Sequence, residues 1–226
     1  MFTSLINLFY PKICAGCESF LLQDEKVLCT RCRHEIPLTH HILNPNNEAF
    51  SKFYGKVPVE FAAAFLYFHK KGRVQELIHK LKYKGHEEIG MALGYWFAEE
   101  LKQFELIKDA SCIVPVPLHP KKLRERGYNQ VTSFGKALSE NLNIPFEERL
   151  LIRNFYTKTQ TKKNLLGRTE LAKNLFDITD SISLNGNHII LVDDVITTGS
   201  TLEKCCNALL KIPNVKVSVL CMAMTH

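Results

Sequence analysis

The sequence predicts an α/β protein, a doubly wound and mostly parallel sheet, preceded by a small cysteine-held module. Three observations carry this prediction. From about residue 57 onward, apolar runs of strand length alternate with amphipathic helical segments. One of those runs, Ile189–Val192, is continuously apolar, as a strand buried on both faces must be. Ahead of the alternation, cysteines are paired as Cys14-Ala-Gly-Cys17 and Cys29-Thr-Arg-Cys32. The 226 residues suffice for one α/β domain of ordinary size and a small accessory module.

The module is expected over residues 1–45, ending at the turn-rich Asn44-Pro-Asn-Asn-Glu48. Two C-x-x-C pairs separated by eleven residues have zinc-ribbon spacing. Four thiolates from Cys14, Cys17, Cys29 and Cys32 complete a tetrahedral site with no open position, so the expected Zn2+ is structural. So short a segment has little apolar core, and the metal is expected to supply most of its folding energy. His34, His40 and His41 are surplus to four cysteines and read as solvated surface. Before them, Phe2, Leu5, Ile6 and Phe9 share one helical face. They read as a short helix packed on the module; a membrane-surface anchor is the other reading. That segment has no basic n-region and makes a poor signal peptide. No apolar run approaches the roughly 20 residues that span a bilayer. Together with unpaired Cys112, Cys205, Cys206 and Cys221, this points to a reducing cytoplasm.

The α/β domain is expected over residues 57–226. Val59–Phe68 has strand composition and ends at Lys70-Lys-Gly72. Val74, Leu77, Ile78 and Leu81 recur at helical spacing, and Leu93, Trp96, Phe97 and Leu101 mark a second helix within 89–104. Ile113–Val116 is a short buried strand bounded by Pro115 and Pro117. Val131, Phe134, Ala137, Leu138 and Leu142 form another helix face. Residues 153–174 are basic, polar and nearly aperiodic. His188–Val192 is a strand, Ser200–Leu210 a helix and Val215–Cys221 a final strand.

The chemistry concentrates in residues 187–201. Asp193 and Asp194 emerge at the carboxyl end of a buried strand, where open α/β sheets bind ligands. Adjacent strand residues point to opposite sides, so these carboxylates can take vicinal ribose hydroxyls or a Mg2+ shell but do not share one proton. Thr197-Thr-Gly-Ser-Thr201 follows and opens a helix. Gly199 permits close backbone approach, and Thr197, Thr198, Ser200 and Thr201 surround it with hydroxyls at a helix N-terminus, which suits a phosphate. An ordinary polar N-cap accounts for Ser200 or Thr201 alone, not for this whole set. The chain holds no G-x-x-x-x-G-K-[ST] and no G-x-G-x-x-G.

Residues 189–201 resemble the phosphoribosyl-diphosphate (PRPP) motif of type I phosphoribosyltransferases: apolar strand, acidic pair, then T-T-G-[SA]-T. The wider chain resembles the ComF/GntX-like competence family, which joins an N-terminal zinc ribbon to a phosphoribosyltransferase-type domain. The matching segments are Cys14–Cys32, Val114-Pro-Val-Pro-Leu-His119, Arg126-Gly-Tyr-Asn-Gln130, Lys158-Thr-Gln160 with Arg168, and the loop itself. The resemblance implies that Asp193 and Asp194 hold the ribose hydroxyls, directly or through Mg2+. It implies a PRPP site of Asp193, Asp194, Val195, Thr197, Thr198, Gly199, Ser200 and Thr201. It places the pyrophosphate beside Pro115, Val116 and Pro117. It makes the stretch 153–170, with Lys158, Thr159, Gln160 and Arg168, a candidate hood over the reaction centre. It further implies a role in handling imported single-stranded DNA alongside a helicase-type partner.

The net charge of +6 permits an anionic partner without requiring one. Basic runs lie at Lys70–Lys84, at Lys121-Lys-Leu-Arg-Glu-Arg126 and from Arg153 to Arg168. Lys121, Arg124 and Arg126 follow the Pro117 strand end, next to the expected pyrophosphate, and also suit nucleic-acid phosphate. Tyr128 and Asn129 beside them suit base stacking. Two readings stay open: a phosphoribosyltransferase with PRPP as substrate, or a non-catalytic DNA- or partner-binding module with PRPP as effector.

Overall fold

A computed structural model of the protein describes residues 11–154, 175–179 and 187–226. The expected N-terminal helix face at Phe2–Phe9 lies outside the described residues, as do Lys158, Thr159, Gln160 and Arg168 of the expected hood.

The continuously apolar run becomes the central strand β5 (His188–Ile196), longer than its apolar part because it carries both acids. It pairs in parallel with β2 (Ala110–Pro115) on one side and β6 (Lys216–Thr225) on the other. Strand β6 pairs in parallel with β1 (Ala62–Phe68), giving the order β1-β6-β5-β2. Strands β3 (Leu151–Arg153) and β4 (Phe176–Ile178) form a separate antiparallel ribbon.

Strand alternation divides the core in two, which is what double winding requires. Ile190, Val192, Leu220 and Met222 pack with α3 (Arg73–Tyr83), α4 (Glu87–Leu101) and α6 (Gln130–Leu142) through Leu77, Leu81, Leu93, Phe97, Phe134 and Leu138. Ile189, Leu191, Val217, Val219 and Cys221 pack with α7 (Ser200–Leu209) and with Phe53 and Phe176. The helices α4 and α6 touch closely because Gly94 leaves no side chain between them. A Cβ built there would stand 2.6 Å from the Phe134 carbonyl oxygen and 2.7 Å from the Ala137 Cβ.

Between β2 and α6 the basic run Lys121–Arg126 forms the short helix α5 (Pro120–Arg126). Pro120 opens it, and the His119 ring accepts the Lys121 N–H at 3.1 Å. Two further short helices, α1 (Thr30–Glu35) and α2 (Glu48–Ser51), precede the sheet.

The cysteine segment joins the α/β core. Cys14, Leu28, Cys32 and Ile36 belong to the same apolar cluster as Phe65 and Phe97. The segment after α1 runs antiparallel to β1, with Leu38 opposite Leu66 and the Tyr67 N–H donating to the Pro37 carbonyl at 2.9 Å. His41 departs from its expected place on the solvated surface. It is buried, and its Nδ1 accepts the Ala64 N–H at 3.2 Å, so its polarity serves the backbone of β1. Among the described residues no helix is long and apolar enough to cross a membrane.

Candidate functional site

All four strands of the main sheet run in one direction, so their carboxyl ends form one edge. At that edge β5 delivers Asp193 and Asp194 to opposite faces. Asp193 stands opposite Cys221 of β6 on the α7 side. It accepts the Asp194 N–H at 2.8 Å. Burial pushes its carboxyl up to about 8, and the neighbouring Asp194 charge acts in the same direction. Asp194 points to the other face and is buried there. Its Oδ2 accepts from Gln130 Nε2 at 2.6 Å and lies 2.9 Å from Lys82 Nζ.

Gly199 caps α7 in the left-handed region, with φ of 77°. Thr197, Thr198, Ser200 and Thr201 around it are exposed. The first-turn N–H groups of a helix lack intrahelical acceptors and carry positive potential, and here the Ser200 N–H donates to the Thr198 Oγ1 at 3.4 Å. Residues 52 and 53 back this loop. A Cβ on Gly199 would lie 3.4 Å from the Lys52 Cβ.

The Pro115–Pro117 segment follows β2 at the same edge, with the Val116 N–H donating to the Val192 carbonyl at 2.9 Å. The motif Arg126-Gly-Tyr-Asn-Gln130 then ties the neighbouring pieces together. The Asn129 side chain donates to the Val116 carbonyl at 3.0 Å and also caps α6. The Tyr128 hydroxyl donates to the Leu81 carbonyl. Arg126 Nη1 donates to Gln130 Oε1 at 2.6 Å, and its guanidinium lies 4.9 Å from the Tyr83 ring centre. The basic run thus splits: Lys121, Lys122 and Arg124 are exposed on α5, while Arg126 turns inward. Tyr128, expected to stack on a base, is half-buried with its hydroxyl engaged; the exposed ring here is Tyr83.

Lys82 and Gln130 were not singled out for this site by sequence reasoning. Both meet Asp194 only through the tertiary fold. The one local signal was Gln130, a polar residue opening an otherwise apolar helix face directly after an Asn cap.

The four cysteines come together as expected. Their sulfurs lie within 4.8 Å of one another. Backbone N–H groups of Gly16 and Cys29 point at Cys14 Sγ (3.4 and 3.3 Å), and that of Cys32 at Cys29 Sγ (3.4 Å). Tetrahedral Zn2+ with bonds of about 2.3 Å needs this donor set and spacing. These N–H···S contacts also fix where the Cys14 and Cys29 sulfurs point. The residues fit the ion.

Residues 132–225 match the phosphoribosyl transferase domain model. The chain is 29% identical over 216 residues to the "DNA utilization protein YhgH" of Escherichia coli, covering 94% of this chain and 90% of that protein. It is 33% identical over 142 residues to "Competence protein F" of Haemophilus influenzae, 60% of this chain and 61% of that one. It is also 33% identical over 138 residues to "Competence protein ComFC" of Bacillus subtilis, 61% and 54% of the respective chains.

Proposed function

Because the chain belongs to the ComF/GntX-like competence family, with its phosphoribosyltransferase domain, we propose that it binds Mg2+–PRPP at the carboxyl edge of the sheet and works on single-stranded DNA during uptake. One observation carries this reading: Asp193 and Asp194 part to opposite faces at the end of β5, directly before the Gly199-capped helix α7. A ribose 5-phosphate has a matching layout, with vicinal hydroxyls at one end and a dianion at the other.

In this reading the 197–201 loop takes the 5′-phosphate. Asp194, anchored on Oδ2, accepts from a ribose hydroxyl, and Asp193 accepts from its neighbour. The separated carboxylates favour direct contact with hydroxyls. Mg2+ would neutralise the leaving pyrophosphate. That group would border Pro115–Pro117, with Lys121 and Arg124 of α5 adding positive charge. A nucleophilic atom of an acceptor would bond to C1 as the C1–O bond breaks, its electron pair leaving with pyrophosphate. The fold's share of the work is to orient the sugar and keep water from C1. Structural Zn2+ at Cys14, Cys17, Cys29 and Cys32, a helicase-type protein partner and a reducing cytoplasm complete the proposal.

A second reading is supported by the exposed row Lys121, Lys122 and Arg124 on α5. There the row holds DNA phosphates and PRPP is an effector. Calorimetric titration of Mg2+–PRPP into wild type and Asp193→Asn/Asp194→Asn tests the sugar-phosphate site. Binding that the double variant loses supports it, and a folded, zinc-loaded wild type that takes up no PRPP overturns it. Pyrophosphate release in the presence of an acceptor would then favour the transferase over the effector reading.

A further inference from the structure

We propose that Lys82 is a positioning residue for Asp194, and that a ring of side chains closed through Arg126 and Tyr83 decides which oxygen of Asp194 faces the sugar. The inference rests on the ribose-phosphate reading of the site and adds residues outside the phosphate-binding stretch.

The ring is continuous. Lys82 Nζ lies 2.9 Å from Asp194 Oδ2. Gln130 Nε2 donates to that same oxygen at 2.6 Å. The other end of the Gln130 amide, Oε1, accepts from Arg126 Nη1 at 2.6 Å. Arg126 Nη2 donates to the Tyr83 hydroxyl at 3.3 Å, and Tyr83 follows Lys82 in α3. The end of α3, the end of α5, the start of α6 and the end of β5 meet in this loop of contacts.

Its chemistry has two consequences. A guanidinium has only donors, so Arg126 forces the Gln130 oxygen toward itself and the Gln130 NH2 toward Asp194. The amide cannot flip without losing both bonds. Both grips on Asp194 fall on Oδ2, and among the described residues no hydrogen bond is made to Oδ1. Oδ1 is thereby the oxygen offered to a hydroxyl, in this proposal the 2-hydroxyl of the ribose. Asp194 is 7% exposed, and Lys82 is the cation that lies against it in that buried place.

The ring borders a cleft of about 110 Å³ lined by Lys82, Tyr83, Gly85, Glu125, Arg126 and Tyr128. At about 30 Å³ per water it has room for a few waters and none for a nucleotide. Among the described residues, Lys82 and Arg126 here orient other groups.

The test uses ribose 5-phosphate and 2-deoxyribose 5-phosphate, titrated by calorimetry into wild type, Lys82→Met and Lys82→Arg, with melting curves for each protein. Wild type should prefer the ribose compound. Lys82→Met should weaken ribose 5-phosphate by about 10- to 100-fold, leave the deoxy compound nearly unchanged and so erase the preference. Lys82→Arg should restore most of it. Arg126→Met, which breaks the ring two residues away from Asp194, should reduce the preference in the same direction and by less. It also serves if Lys82→Met fails to fold. A preference that survives Lys82→Met, or an equal loss for both sugars, would overturn the role of Lys82. A wild type that takes up neither sugar would remove the sugar-phosphate reading itself, a separate failure visible in the first titration.

Discussion

Lys80 Nζ, on helix α3 of the α/β unit, donates to the Ala15 carbonyl at 2.9 Å, inside the knuckle between Cys14 and Cys17. The same ammonium lies 2.9 Å from Glu18 Oε1, and the lysine is 6% exposed. A buried cation with a carbonyl and a carboxylate on it is a fixed joint, and it fastens the cysteine module to the helix that also carries Lys82. Lys80→Met should cost on the order of 1–3 kcal/mol, or roughly 2–10 °C in melting temperature. Thermal melts with and without a zinc chelator check this. With Zn2+ held by the four cysteines as proposed, the chelator should lower the wild-type melting temperature further than the substitution does, since four metal bonds would outweigh one joint.

The raised carboxyl of Asp193 makes stability depend on pH in a defined direction. In the unfolded chain this group titrates near 3.8, and in the fold near 8. Between those values the native state holds the proton more often than the unfolded state does, so stability falls as pH rises. The slope is at most about 1.4 kcal/mol per pH unit. Asp193→Asn removes that titration. Its melting temperature should match wild type near pH 4, exceed it increasingly toward pH 8, and hold a constant lead above. A gap that is absent or reversed would mean the carboxylate is charged and well supported at neutral pH. Under the proposed function the same substitution should also weaken sugar-phosphate binding.

The parts of this protein written in local pattern were legible in its sequence. Helix α3 at 73–83, the strand carrying the acids and the opposite facing of Asp193 and Asp194 all follow from periods of 3.6 and 2. The cysteine cluster follows from spacing. What tertiary contact decides was not legible. Strand β1 begins at Ala62 and not Val59, although Glu60 and Phe61 already exchange backbone hydrogen bonds with β6. The ring joins Lys82, the Arg126–Gln130 pair and Asp194, three places far apart in the chain. Arg126 and Arg124 look alike in the sequence, yet α5 turns only the former inward. His41 shows the same limit from the other side: nothing local marks it as an acceptor for the backbone of β1.

Gly94 sets the distance between α4 and α6, and its replacement is expected to act on packing alone. Gly94→Ala places a methyl 2.6 Å from the Phe134 carbonyl oxygen and 2.7 Å from the Ala137 Cβ, both on a rigid helix. The helices must part or tilt, at about 1–3 kcal/mol. A urea titration should show a lower midpoint with an unchanged slope. A variant as stable as wild type would show that the two helices slide freely.

Gly199 serves the phosphate loop in a different way. A Cβ there meets only ordinary contacts, the nearest at 3.4 Å, so space is not the obstacle. The obstacle is φ of 77°, a left-handed conformation that costs an L residue roughly 1–2 kcal/mol. Gly199→Ala should lower the melting temperature by a few degrees, on the scale of about 2–4 °C per kcal/mol. It should weaken phosphate-bearing ligands disproportionately, because relaxing the strain re-aims the first N–H groups of α7. Equal affinity for Mg2+–PRPP in the two proteins would mean that these amides do not hold the phosphate.

The exposed cations of α5 offer a test that separates the proposed DNA binding from the proposed sugar-phosphate binding. Lys121, Lys122 and Arg124 lie on a helix that leaves no residue buried, so replacing them should leave the fold alone. If they lie along a single strand, each neutralised phosphate adds about 0.7 to the slope of log affinity against log salt. Lys121→Gln/Lys122→Gln/Arg124→Gln should then flatten that slope by about 2 for an oligothymidine, measured by fluorescence anisotropy across a salt series. Binding of ribose 5-phosphate should change little, because the proposed place for its phosphate is at α7. An unchanged slope would move the DNA to another face. A flattened slope with loss of ribose 5-phosphate as well would mean that α5 serves the sugar phosphate, and that one basic edge holds both ligands.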